Sequence, residues 1–121
     1  MIHLDLRSRE PIYEQIAAGF RRLALAGVLE PGSQLPSVRQ LSAELGVNPN
    51  TVHRAYTLLE ERGVTYSQPG RGSYISPDMA QKADAAREMA LEGLTRQLIK
   101  AREAGVSRQE AAERLEEVYH V

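Results

Sequence analysis

The chain has no cysteine and no tryptophan, and a single phenylalanine among its 121 residues. Without cysteine there is no disulfide framework and no thiolate metal site, a usage that fits a reducing compartment. The three histidines, His3, His53 and His120, are scattered, and their spacing suits no metal. No apolar run approaches the roughly 20 residues of a membrane span, and the N-terminus lacks the apolar core of a secretion signal. The cytoplasm is therefore the expected compartment, with no membrane partner. Excess charge is missing too. The formal net charge is −1, so the chain is no general binder of polyanions, and any contact with nucleic acid requires local positive charge. No nucleophile–base pair stands out. The glycine-rich run PGRGS at 69–73 lacks the Lys-Ser/Thr and the helix start of a phosphate loop. Neither an enzyme nor a bound cofactor is expected.

What is present is organised around residues 37–63, SVRQLSAELGVNPNTVHRAYTLLEERG. Ser37 with Gln40 makes a capping-box pattern at a helix start. Val38, Leu41 and Leu45 then form one apolar stripe, and Gly46 ends the helix. Asn48 is a good N-cap for a second helix, with Pro49 at its first position, where a missing N–H costs nothing. Helix, glycine-containing turn and helix in this order predict a helix-turn-helix. Around the second helix Val52, Ala55, Tyr56 and Leu59 gather on one side. Asn50, His53, Arg54 and Thr57 gather on the other, with Thr51 at the flank. Asparagine can pair with adenine and arginine with guanine, and a threonine methyl can touch thymine. The Asn48 end also offers backbone N–H groups and positive partial charge to a phosphate. On an isolated helix such a face would simply be solvated; the segment that follows gives it more meaning.

After Gly63 the pattern alternates. Residues 64–68, VTYSQ, and 73–76, SYIS, are β-prone, with Pro69-Gly70-Arg71-Gly72 as a hairpin tip. Helix-turn-helix followed by a hairpin predicts a winged helix, with Arg71 on the projecting loop. Upstream, residues 2–6 alternate and suit a short edge strand or a loose terminus. Pro11 opens a helix striped by Ile12, Ile16, Phe20 and Leu23. Pro31-Gly32 fits a type II turn, and Gln34-Leu35 before Pro36 is extended and able to pair with the wing. Arg39, Arg54 and Arg71 supply the local positive charge, whereas the segment after Pro77 is net acidic.

Residues 37–63, followed by PGRGSYI, closely resemble the DNA-binding domain of the GntR family of bacterial transcription regulators. PIYEQI in the first helix and VNPNTV with RAY in the recognition helix resemble its YtrA-type branch. The resemblance spans roughly residues 5–77. It implies that Arg39 contacts DNA, that Asn48, Asn50, Thr51 and His53 face an operator, and that Gly70 and Arg71 enter a minor groove. Two positions depart from many members: Pro49 and His53 stand where a basic residue is frequent, so operator sequence cannot be copied across. The candidate DNA-binding set is Ser37, Arg39, Asn48, Asn50, Thr51, His53, Arg54, Gly70 and Arg71. The resemblance further implies repression, often of transporter genes. It allows a small-molecule effector of unknown identity, for which the sequence shows no dedicated pocket.

The expected fold is mostly α with a small antiparallel β wing. A winged helix-turn-helix domain occupies 1–76 and a two-helix dimerisation segment 77–121. In the tail, Met79, Ala83, Ala86, Ala90, Leu94, Leu98 and Ala101 recur at helical spacing, widened by Met89 and Leu91. This helix of about 27 residues, starting at Ser76-Pro77, would measure roughly 40 Å. Gly105 stops it. Ser107 with Glu110 opens a last helix with Ala111, Leu115, Val118 and Tyr119 on one side. The expected dimerisation residues are Met79, Ala83, Ala86, Ala90, Leu91, Leu94, Leu98, Leu115, Val118 and Tyr119. Two copies about a twofold axis would meet a near-palindromic double-stranded DNA operator. The alternative is a winged-helix adaptor that binds protein and has no specific DNA partner.

Overall fold

The computed structural model describes residues 2–120. Five helices and one hairpin follow in the order α1 (Ile12–Leu25), α2 (Val38–Leu45), α3 (Pro49–Glu61), β1 (Thr65–Gln68), β2 (Gly72–Ile75), α4 (Met79–Glu103) and α5 (Arg108–Tyr119). The chain divides into two compact units, Met1–Asp84 and Ala85–Val121.

The first unit holds the buried core. Ile16 and Phe20 of α1, Leu41 of α2, and Val52, Ala55 and Leu59 of α3 are closed from solvent together with Val64, Ile75 and Met79. All but Ala55 among these are side chains that contribute about 1.5–3 kcal/mol each on burial. Phe20 meets the Tyr56 ring edge-on, with centroids 5.8 Å apart. Gly19 sits in the middle of α1, a costly place for glycine. Ile2 crosses there so closely that a Cβ on Gly19 would stand 2.8 Å from Ile2 Cδ1. Residues 2–5 therefore form no strand. Ile2 and Leu4 pack on the core instead, and the Gln15 side chain takes the Asp5 backbone at both ends. That carboxamide accepts from the Asp5 N–H at 2.8 Å and donates to its carbonyl at 3.0 Å.

Local signals position the helix pair. Ser37 and Gln40 form the full capping box of α2. Gly46 closes that helix in the left-handed conformation, φ 65°, which other residues adopt only under strain. Asn48 accepts from the Asn50 N–H at 2.8 Å, and Pro49 opens α3. The hairpin pairs Thr65 with Ile75 and Gln68 with Gly72. Segment 32–35 lies along β2: Gln34 bridges to Tyr74, the Leu35 N–H donates to Ser73 O, and the Ile75 N–H donates to Ser33 O.

Two expectations change at the end of the hairpin. Ser76 does not cap α4. Its N–H donates to Val64 O, which keeps it in the wing, and the helix starts at Met79. Met79 in turn is not a tail-surface residue. It is 2 % exposed and completes the core under α3 and the wing. The first unit therefore continues past the expected boundary at 76/77 to Asp84.

The second unit contains the rest of α4 and α5, joined through a turn at Gly105. Ser107 and Glu110 form the expected capping box. The Ser107 N–H and hydroxyl hold the Glu110 carboxyl below its ordinary range. Leu94 and Leu98 are each 49 % exposed, and Val118 and Tyr119 each 74 %. Among the described residues, no helix is long and apolar enough to cross a membrane, and no acidic, His or Cys cluster has the makings of a metal site.

Candidate nucleic-acid interface

On α3 the residues Asn50, His53, Arg54 and Thr57 are exposed, while Val52, Ala55, Tyr56 and Leu59 are buried. The polar stripe expected from helical rotation is therefore real, and Thr51 is half-buried at its flank. Asn48 and Ser37 stand at the starts of α3 and α2, and each already spends a side-chain oxygen on its own cap. The Asn48 amide N–H groups and the Ser37 hydroxyl proton remain to donate. Arg39 is exposed in the first turn of α2.

The electrostatics follow from which charges are paired. Arg62 bridges to Glu14 at 3.4 Å and Lys82 to Asp78 at 3.4 Å. Among the described residues Arg39, Arg54 and Arg71 have no such carboxylate partner. They keep their positive charge uncompensated on the unit that carries the polar stripe.

The wing is fixed by contacts that periodicity does not reveal. Glu60, near the end of α3, accepts from the Ser67 N–H at 3.0 Å and from the Ser67 hydroxyl at 3.1 Å. The recognition helix thus grips β1 directly. At the tip, Pro69 and Gly70 occupy the centre of a type II turn, with Gly70 at φ 75° and the Arg71 N–H donating to Gln68 O. Gln34 Nε2 donates to Arg71 O at 2.6 Å. Gly70 and Arg71 are exposed.

Two aromatic residues carry roles beyond packing. The Tyr56 hydroxyl donates to Pro36 O at 2.7 Å and so ties α3 to the entry of α2. Burial, and then the neighbouring Glu44 carboxylate, push its phenol well above the ordinary value. Tyr13 of α1 lies under the Arg54 guanidinium, with Arg54 Cζ 3.9 Å from the ring centroid. The ring covers one face of the guanidinium and leaves the N–H edges of Arg54 open. Glu60, Gln34 and Tyr13 are the positioning residues absent from the expected set. Gln34 had a visible signal, its place in the extended segment able to pair with the wing; Tyr13 showed only as an aromatic one residue beyond Ile12 of the α1 stripe, and Glu60 showed none.

Residues 12–75 match the family described as "Bacterial regulatory proteins, gntR family". Over 119 residues the chain is 40 % identical to "HTH-type transcriptional repressor YtrA" of Bacillus subtilis (strain 168), covering 98 % of this chain and 92 % of that one. Among solved structures it is similar to a GntR family transcriptional regulator from Listeria monocytogenes, with TM-score 0.65 and 30 % identity over 94 % of this chain and 98 % of that one. It is also similar to YtrA from Sulfolobus acidocaldarius, a GntR-family transcription factor, with TM-score 0.62 and 36 % identity over 78 % and 97 %. These relatives are transcription regulators rather than enzymes. The architecture, the capped helix pair and the matched sequence agree: this chain belongs to the gntR family of bacterial regulatory proteins and is YtrA-like within it.

Proposed function

We propose that this chain is a repressor that binds a near-palindromic operator as a homodimer, acting in the cytoplasm and controlling genes that include transporters. The observation that carries the reading is the exposed stripe Asn50–His53–Thr57 beside three arginines without carboxylate partners. Asn50, Thr51 and His53 are the base-edge candidates, and Ser37, Arg39 and Asn48 the backbone candidates. Arg71, with Gly70 beside it, serves the minor groove. Dimerisation is supported by Leu91, Leu94, Leu98, Leu115, Val118 and Tyr119, all exposed in the second unit, with Ala86 and Ala90 on the same stripe. Ala83, in the first unit, is half-buried and belongs at the margin of that stripe. A small-molecule effector acting through the dimer would relieve repression.

Sequencing genomic fragments retained by the purified chain at physiological salt tests this. Expected is an enriched, twofold-symmetric sequence whose affinity falls steeply as salt rises. Arg71→Ala should flatten that slope by about 0.9 per protomer. A chain that prefers no fragment over random duplex is an adaptor, and the proposal fails.

A further inference from the structure

We propose that Arg54 is a sequence-independent phosphate contact held ready by Tyr13, so that the pair sets how tightly the chain grips any duplex without choosing among duplexes. The inference rests on the DNA-binding reading and names a division of labour within it.

The five N–H donors of a guanidinium lie in one plane and point outward from the edges. Tyr13 covers a face, with Cζ 3.9 Å from the centroid, so stacking consumes none of the donors. No ion pair and no side-chain hydrogen bond to another described residue consumes them either. Arg54 is exposed, so its edges face solvent. A planar cation with free edges matches a phosphate's oxygens.

Position argues the same way. Asn50 lies four residues earlier on α3, on the same face as Arg54. Tyr13 belongs to α1, so the stack draws the guanidinium sideways from that face toward the neighbouring helix. A helix seated in a major groove shows its central stripe to base edges and its margins to the backbones on either side. Arg54 is thus held at a margin. The platform is firm, because Tyr13 is half-buried against the core. A long side chain that is already immobilised loses little freedom on binding. Arg39 and Arg71 have no aromatic platform among the described residues.

The test uses the full chain, its selected operator duplex and a random duplex of equal length, titrated across a salt series. Arg54→Ala should weaken both duplexes by the same factor, about eightfold per bound protomer at about 0.1 M salt, and lower the salt slope by about 0.9 per protomer. Tyr13→Ala should weaken both by about two- to fivefold with the slope unchanged, and Tyr13→Phe should match the wild type. Arg54→Lys keeps the charge and the slope while losing affinity, and as an exposed substitution it does not threaten the fold. In an Arg54→Ala background, Tyr13→Ala should cost nothing further. A loss confined to the operator would make Arg54 a base reader and overturn the proposal. So would unchanged binding by Arg54→Ala, or a Tyr13→Ala loss that persists without Arg54. A wild type that binds both duplexes equally refutes operator recognition alone, since the phosphate contact would still show on the random duplex. A wild type that binds neither refutes both.

Discussion

Ending the chain after Asp84 and ending it after Pro77 should give proteins of very different stability, although both remove α5 and most of α4. The difference lies in Met79. It is 2 % exposed and packs among Val64, Ile75 and the α3 side chains. Removing a buried side chain of this size costs about 2–5 kcal/mol through lost transfer energy and the cavity left behind. Two smaller contacts go with it: the Met79 N–H to Ser76 O at 3.1 Å, and Lys82 Nζ to Gly63 O at 3.4 Å. The Lys82 contact is long and its side chain lies at the surface, so little is assigned to it. A total near 3 kcal/mol is a large share of the roughly 5–15 kcal/mol available to a domain. At about 4–8 °C per kcal/mol for a domain this small, the midpoints should differ by roughly 12–24 °C. Thermal melts followed by circular dichroism read the difference directly. Met79→Ala in the longer form should reproduce most of it, whereas Met79→Leu should cost under about 1.5 kcal/mol. Both truncations lose Leu91, Leu94, Leu98, Leu115, Val118 and Tyr119. Association through those residues therefore cannot produce the gap. Equal midpoints would refute the assignment of Met79 to the core of the first unit.

Tyr56→Phe removes the hydroxyl that donates to Pro36 O, and should cost about 1 kcal/mol near neutral pH in urea titrations. The folded-state phenol is raised, so the unfolded chain ionises first. The tyrosine's contribution is therefore complete below about pH 10 and is lost as pH climbs above it. The stability gap between wild type and Tyr56→Phe should shrink above about pH 10, and a gap constant to about pH 11 would contradict the raised phenol. Glu60→Ala should leave stability within about 0.5 kcal/mol, because Glu60 and Ser67 are exposed. It should nonetheless speed amide exchange at Ser67 and weaken DNA binding by loosening the wing; unchanged Ser67 protection would show that the carboxylate does not hold the strand.

What was legible in the sequence divides by range. The helix caps were readable because each is closed by residues within a single turn. Ser37 needs only Gln40, Asn48 needs only Asn50 and Pro49, and Ser107 needs only Glu110. Burial of one face of α3 was readable because rotation per residue is a property of the helix alone. The anchors of the wing were legible only in part. The pairing of segment 34–35 with the wing was readable from the extended residues before Pro36, but Glu60 and Ser67 meet only because a turn at Gly63 folds β1 back beside α3. Arg54 shows the limit of rotation as a guide: the angle of its Cα was right, but a long side chain goes where a neighbour holds it, and Tyr13 lies on a different helix.

Met79 and Leu98 sharpen this into a general point about apolar stripes. Both belong to one run in α4 with the same three- and four-residue spacing, and nothing in the spacing separates them. Yet Met79 is 2 % exposed and Leu98 49 %. Periodicity states which side of a helix avoids water; it does not state what covers that side. At Met79 the cover comes from the chain itself, because the Ser76 N–H stays bonded to Val64 and delivers the start of α4 against Val64 and Ile75. In the second unit, which begins after Asp84, the same pattern continues with its leucines half open. Mutating the two ends should therefore have separable consequences. Damage at Met79 should be felt as lost folding stability at any protein concentration. If a second copy covers Leu94 and Leu98, as proposed, damage there should be felt as a stability that no longer rises with concentration, since a second copy contributes only when it is bound.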